Sequence, residues 1–159
     1  MKLVKIGHIH SPFLKATGTP IQPSRAAGAQ GRVDILPEYS PALRDLAGFD
    51  RIWLVYWFDR ASEAKLTVIP YRDTVEHGLF ATRAPARPNP IGLSNVRLLG
   101  IEGNILRIGD VDILDGTPLL DIKPYVPAYD DFAVTQLGWI ANVPEKPVVA
   151  DSRFERQLS

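Results

Sequence analysis

The residues of this chain best suited to hold a charged ligand lie between Phe80 and Gly92, in the stretch FATRAPARPNPIG. Arg83 and Arg87 each carry a planar fork of donors that matches carboxylates, phosphates and base edges. Pro85, Pro88 and Pro90 fix φ and remove backbone donors, so the stretch can be neither helix interior nor central strand. It reads as a stiff loop. Stiffening lowers the entropy lost on ordering, which suits a preorganised binding loop. An arginine on a loop also commonly pairs with a surface carboxylate for little energy, and the residues alone leave both readings open.

A second polar group follows in DGTPLLDIKPY. Asp115-Gly116 has turn chemistry, and Asp121, Lys123 and Tyr125 share the period of a strand, so all three point to one side. Such a row suits a site lining, a subunit contact or a plain ion pair. The three histidines, His8, His10 and His77, are not joined by a spacing that completes a metal site, and no metal is expected. With no cysteine in the chain, thiolate catalysis and disulfides are excluded. Nucleophile-elbow, phosphate-loop and dinucleotide-binding motifs are absent too.

These residues must be positioned by a chain of 159 residues, enough for one domain with a real core. Eighteen basic side chains balance eighteen acidic ones, which argues against nucleic-acid binding by bulk charge. Fourteen prolines and twelve glycines, spread along the chain, suit short strands and sharp turns. Lys2–His10 reads as a first strand, 13–31 as a long loop, GRVDILP as a second strand. In YSPALRDLAGF, Ser40 as N-cap, Pro41 at the first position and Gly48 beyond the end predict a helix. FDRIWLVYWF is the strongest strand pattern and is expected to be central. LTVIPY is expected to be a strand, and NVRLLGIE and NILRIGDVDI form a hairpin about Gly103-Asn104. About seven strands without βαβ alternation predict a mainly β fold, a small antiparallel barrel with one or two short helices. The barrel domain is placed at 1–135 and a C-terminal tail at 136–159, with FAVTQLGWI a short helix or edge strand and the chain from Pro144 onward loosely held. No apolar run has membrane-spanning length and no signal peptide precedes the first strand, so a soluble cytoplasmic protein is expected.

Taken together, GHIHSPF, the Gln22-Pro23 region, LRDLAGFDRIWLVYWF, FATRAPARPNPIGLS and DILDGTPLLDIKPYVP resemble the TsaA-like (TrmO, YaeB/VirR-like) family over about residues 3–130. The resemblance implies a small β-barrel, not a Rossmann fold, that uses S-adenosyl-L-methionine to methylate tRNA. The expected target is N6 of the threonylcarbamoyl-adenosine just 3′ of the anticodon, and the expected assembly is a homodimer with the cofactor near the interface. By matched position it implies cofactor contacts from Gln22, Pro23, Ser24, Asp59, Arg60, Arg83, Leu93, Asp115, Gly116, Thr117 and Pro118. Arg87 and Asn89 would then meet the RNA, and Asp121, Lys123 and Tyr125 are the candidate proton acceptors or orienting groups. Two other readings stand beside this one: a cofactor-binding barrel that methylates something else, and a regulatory module without catalysis.

Overall fold

The computed structural model describes residues 2–26 and 28–156. Six strands close into an antiparallel barrel. They are β1 (Gly7–His10), β2 (Gln30–Ile35), β3 (Arg51–Trp57), β6 (Ile91–Glu102), β7 (Ile105–Gly109) and β8 (Thr117–Pro124). Around the barrel the order is β1-β2-β7-β6-β3-β8, and β8 pairs with β1 to complete the circle. The strand expected at LTVIPY is only β4 (Thr67–Val68), which pairs with β5 (His77–Gly78) in a separate small ribbon.

β3 alternates as its sequence allows. Ile52, Leu54 and Tyr56 point inward, while Arg51, Trp53, Val55 and Trp57 lie on the outside, half-buried. With Ile9, Val33, Ile35, Val96, Leu106, Ile108, Val111, Ile113 and Leu119 the inward residues fill the barrel. β6 and β7 meet at Gly103-Asn104 as expected, with Gly103 at a φ of 62°. Gly92 is needed for a different reason: a Cβ there would run into the ring of Tyr56.

A bulge decides where the polar row of β8 goes. Tyr56 pairs with Leu119 but Val55 pairs with Asp121, which leaves Leu120 without a counterpart. Thr117 and Leu119 therefore face inward, Ile122 follows them, and Asp121, Lys123 and Tyr125 are turned to the outer face.

Two expectations need correction. The helix with Ser40 as N-cap is absent; its place is taken by 3-10 turns at Pro37–Leu43 and Leu46–Gly48, separated by Asp45 in the left-handed region. The chain already turns at Pro37, which puts Pro41 inside the first 3-10 segment and not at a helix start, and Arg44 (ψ 133°) and Asp45 (φ 67°) leave the helical region, so no α-helix continues to Gly48. Among the described residues the one α-helical turn, α1, is Pro127–Asp130.

The end of the chain is also not loosely held. Val149 bridges to Pro20 and Glu155 to Ala61, and Ser62 N–H donates to Phe154 O at 2.8 Å. Phe154 is buried with Val68, Leu79, Ala84 and Ala86, and packs edge-on against Tyr71. Burial of that ring contributes about 2 kcal/mol. Residues 157–159 lie outside the described ones.

Candidate active site at the mouth of the barrel

The irregular segments gather at the end of the barrel where β3 leaves and β6 begins, and they enclose a cavity of about 360 Å³. Its walls are the exit of β3 (Tyr56, Phe58–Ala61), the proline-rich loop (Thr82, Arg83, Pro85, Arg87), the start of β6 (Ile91–Leu93) and the link into β8 (Asp112–Leu114, Thr117). The N-terminal loop (Ala16, Thr19–Gln22) and the chain end (Ala150, Phe154, Glu155) close it. The volume is in the range of small-molecule sites.

Both arginines of the proline-rich loop reach this cavity, in different ways. Arg83 is exposed and its Nη1 donates to Gln22 Oε1 at 2.6 Å, tying the proline-rich loop to the N-terminal one. Arg87 turns back on its own loop. Its Nη1 faces the carbonyls of Thr82 at 3.0 Å, Ala84 at 3.3 Å and Leu79 at 3.5 Å, and the guanidinium sits 5.8 Å from the Phe80 ring. Arg87 is thus a clamp that sets the loop's shape, which revises the expectation that its work is mainly outward.

The DGTP turn holds a third arginine. Gly116 takes a φ of 77°, and Arg60 Nη2 donates to Asp115 O at 2.7 Å and to Thr117 Oγ1 at 3.3 Å. Arg60 Nε is buried without a hydrogen-bond partner; the nearest carboxylate oxygen, Asp59 Oδ1, is 3.5 Å away. The Asp115 side chain faces away, accepting from Ser11 N–H and lying 3.1 Å from His10 Nδ1. Burial opposes its ionisation, but these partners and Arg60 together hold its carboxyl below the usual range.

Three polar residues at the mouth escaped the sequence reading. Ser94 Oγ donates to Asp112 Oδ1 at 2.7 Å, and because a serine has a single proton, Tyr56 OH is the donor to Ser94 Oγ at 3.0 Å. Tyr56 and Ser94 are buried, while Asp112 keeps a surface toward the cavity. Burial pushes the Asp112 carboxyl up to about 7, against the Ser94 hydrogen bond, a backbone hydrogen bond and the charge of Arg83. Burial also raises the Tyr56 phenol, and Asp112 adds to that.

Of the expected site residues, Gln22, Asp59, Arg60, Arg83, Arg87, Leu93 and Thr117 line the cavity. Pro23, Ser24 and Tyr125 instead line a shallow groove outside the barrel, beside Trp53 and Asn95, to which Gln22, Arg83 and Leu93 also contribute. Asn89, Asp115, Gly116, Pro118, Asp121 and Lys123 line neither. Lys123 Nζ pairs with Asp121 Oδ2 at 2.9 Å on the outer face, and Tyr125 meets Trp53 edge-on at 6.1 Å. Among the described residues no group of three His, Cys, Asp or Glu side chains is placed to hold a metal ion.

Residues 8–131 match the family described as tRNA-methyltransferase O N-terminal domain. A Pyrococcus abyssi relative described as "Probable S-adenosyl-L-methionine-binding protein" is 56% identical over 135 residues, which are 85% of this chain and 73% of the relative. The tRNA (adenine(37)-N6)-methyltransferase of Escherichia coli is 34% identical over 166 residues, covering 97% of this chain and 71% of that one. The crystal structure of TrmO from Pseudomonas aeruginosa superposes with a TM-score of 0.74 at 40% identity. That likeness covers 87% of this chain but only 62% of the crystallised one.

The Asp112 environment predicts a pH dependence whose sign is fixed. Its folded value lies above the ordinary 3.8, so between pH 3.8 and about 7 the folded chain binds the proton more tightly than the unfolded one. Stability from this group is present at low pH and is lost as pH rises through that window. The thermal midpoint of Asp112→Asn, measured against the native chain, should therefore gain progressively as pH rises from about 4 to 8. A constant difference across that range contradicts this assignment.

Proposed function

Because this chain belongs to the family of tRNA-methyltransferase O N-terminal domains, we propose that its cavity binds S-adenosyl-L-methionine and that it methylates adenine N6 in tRNA. The observation that carries the reading is the makeup of the barrel mouth. Apolar walls from Ile21, Phe58, Pro85 and Leu93 offer faces for an adenine ring. Arg60 and Arg83 supply donors for a carboxylate, and Arg60 Nε is a buried donor with no hydrogen-bond partner among the described residues. Asp59 and Thr19 offer acceptors for hydroxyls and an ammonium group. When bound, this cofactor supplies a methyl group already activated on a sulfonium, so the chain's own work is alignment and proton removal.

The finer target is N6 of the threonylcarbamoyl-adenosine next to the anticodon. A base in a single-stranded loop is reached with less unstacking than one in a duplex, and Phe80, 82% exposed beside Arg87, is a platform on which such a base can stack. A second copy of the chain suits the outer face of β3 and β6, where Ile91 and Leu93 are exposed beside Trp53, Val55 and Trp57. Phe132, Val134 and Leu137 are exposed as well. Among the described residues no helix is long and apolar enough to cross a membrane, in keeping with work on tRNA in the cytoplasm.

One other reading has an observation in its favour. The description of the Pyrococcus abyssi relative speaks of binding and not of transfer. Incubation with methyl-labelled S-adenosylmethionine and total tRNA separates the two. Label in N6-methylated threonylcarbamoyl-adenosine is expected; label elsewhere, or binding without transfer, contradicts the proposal.

The two loop arginines should both matter for the cofactor. Losing a charge-assisted hydrogen bond costs about 1.5–3 kcal/mol, roughly ten- to a hundred-fold in affinity. Arg83→Ala should weaken S-adenosylmethionine binding by that factor in calorimetry without RNA. Arg87→Ala should weaken it as well, through a slackened loop, and unchanged affinity in that variant would show that the clamp is dispensable. For the dimer, light scattering at micromolar concentration should give the mass of two chains, and a single-chain mass would refute it.

A further inference from the structure

Three carboxylates line the cavity: Asp59, Asp112 and Glu155. Glu155 Oε1 accepts from Ala16 N–H at 2.9 Å and so is spent on fastening the chain end to the N-terminal loop. Asp59 is exposed and its Oδ1 is paired with Arg60, 3.5 Å from the guanidinium Nε. Asp112 differs from both. Among the described residues Ser94 is the one side chain that hydrogen-bonds it, and that bond takes Oδ1. Among the described residues Oδ2 has no side-chain partner.

Resting on the reading of the cavity as a methyl-transfer site for adenine N6, we propose that Asp112 is the catalytic base that takes the N6 proton. The residues on the outer face do not compete for this role. Asp121 is bound to Lys123 Nζ and, through Oδ1, to Ile122 N–H at 2.9 Å, and neither it nor Lys123 lines the cavity. Tyr125 opens on the outer groove. Asp112 lies on the link between β7 and β8, with Ile113 beside it anchored in the core, so its backbone is fixed by packing. Its carboxylate is oriented by the chain Tyr56 OH to Ser94 Oγ to Oδ1, which leaves Oδ2 to receive a proton.

In the step itself, the N6 lone pair closes the new N–CH3 bond while the electron pair of the S–CH3 bond stays on sulfur. The N6–H bond breaks, its electron pair remains on nitrogen, and its proton passes to Asp112 Oδ2. The positive charge of the sulfonium is consumed and the carboxylate becomes a neutral acid, which then releases the proton to water. A base that titrates near neutrality is matched to such a transfer. The groups that face Asp112 are Tyr56 from β3, Ser94 from β6 and Arg83 from the proline-rich loop. Of these Arg83 is the one charged group, and it favours the ionised, proton-accepting form.

The test compares Asp112→Asn, which keeps an acceptor for Ser94 but is no base, with Asp112→Glu and the native chain. S-adenosylmethionine affinity is measured by calorimetry, single-turnover methyl transfer to tRNA across pH, and the Asp112 carboxyl titration by carbon NMR on the chain without RNA. In the native chain the transfer rate should rise with pH through a midpoint at about 7 and level off above it, matching the carboxyl titration. Asp112→Asn should bind the cofactor within about threefold of the native chain, lose about 10²- to 10⁴-fold in transfer and lose the pH dependence. Asp112→Glu should recover part of the rate. If Asp112→Asn loses affinity as much as rate, Asp112 holds the cofactor and is not the base. An unchanged pH profile in that variant equally overturns the proposal. Should the native chain transfer no methyl to any tRNA, the underlying reading fails separately. The titration still decides on Asp112, since a carboxyl ionised down to about pH 5 or below is no match for the task.

Discussion

Closing a sheet of six antiparallel strands leaves the barrel no open edge, and the remainder of this molecule follows from where the closure stops. Inside, the alternation of β3 and its neighbours is spent on Ile52, Leu54, Val96, Leu106, Ile108 and Leu119, which are fully buried. A barrel of that size is filled by its own side chains, so no ligand can enter it from the middle. Polar chemistry is confined to the mouth, where strands give way to loops and backbone groups are free to bond elsewhere. Tyr56 marks the boundary: its ring belongs to the core and its hydroxyl to the cavity network.

The mouth is made of long, irregular segments, yet it is not slack. Each is fastened by a bond to another: Arg83 to Gln22, Arg60 to the Asp115 carbonyl, Glu155 to Ala16 N–H, and Arg87 to three carbonyls of its own loop. The prolines restrict the proline-rich loop before any of these bonds form, which lowers the entropy that the bonds must offset. The site is thereby built on a scaffold whose shape is set without a ligand. Preorganisation of that kind is what alignment of a methyl donor with a weakly nucleophilic nitrogen requires.

How much of this was legible beforehand depends on the range of the interactions involved. The alternation in RIWLVYW, the Gly103-Asn104 hairpin and the Asp115-Gly116 turn are local, and they folded as they read. The helix expected after Ser40 is absent because the chain already turns as a 3-10 segment from Pro37 and leaves the helical region at Arg44 and Asp45, which the capping signals around Ser40 do not reveal. The chain end was opaque for another reason: it is anchored by one ring, Phe154, in a cluster drawn from Val68, Leu79, Ala84 and Ala86, far away in sequence. Asp112 was hidden because a carboxylate between Val111 and Ile113 reads as the solvent side of a strand, and its partner Ser94 sits on β6, across the barrel wall. The polar row of β8 was read with the right period, but the bulge at Leu120 that turns it outward leaves no mark in composition.

The central claim is that the cofactor lies in the barrel mouth, and a crystal structure with S-adenosylhomocysteine tests it most directly. The account predicts the ligand between Arg60, Arg83 and the 112–117 link, with the chain end from Ala150 to Glu155 forming one wall. Density for the ligand only in the outer groove beside Trp53 and Tyr125 would contradict it.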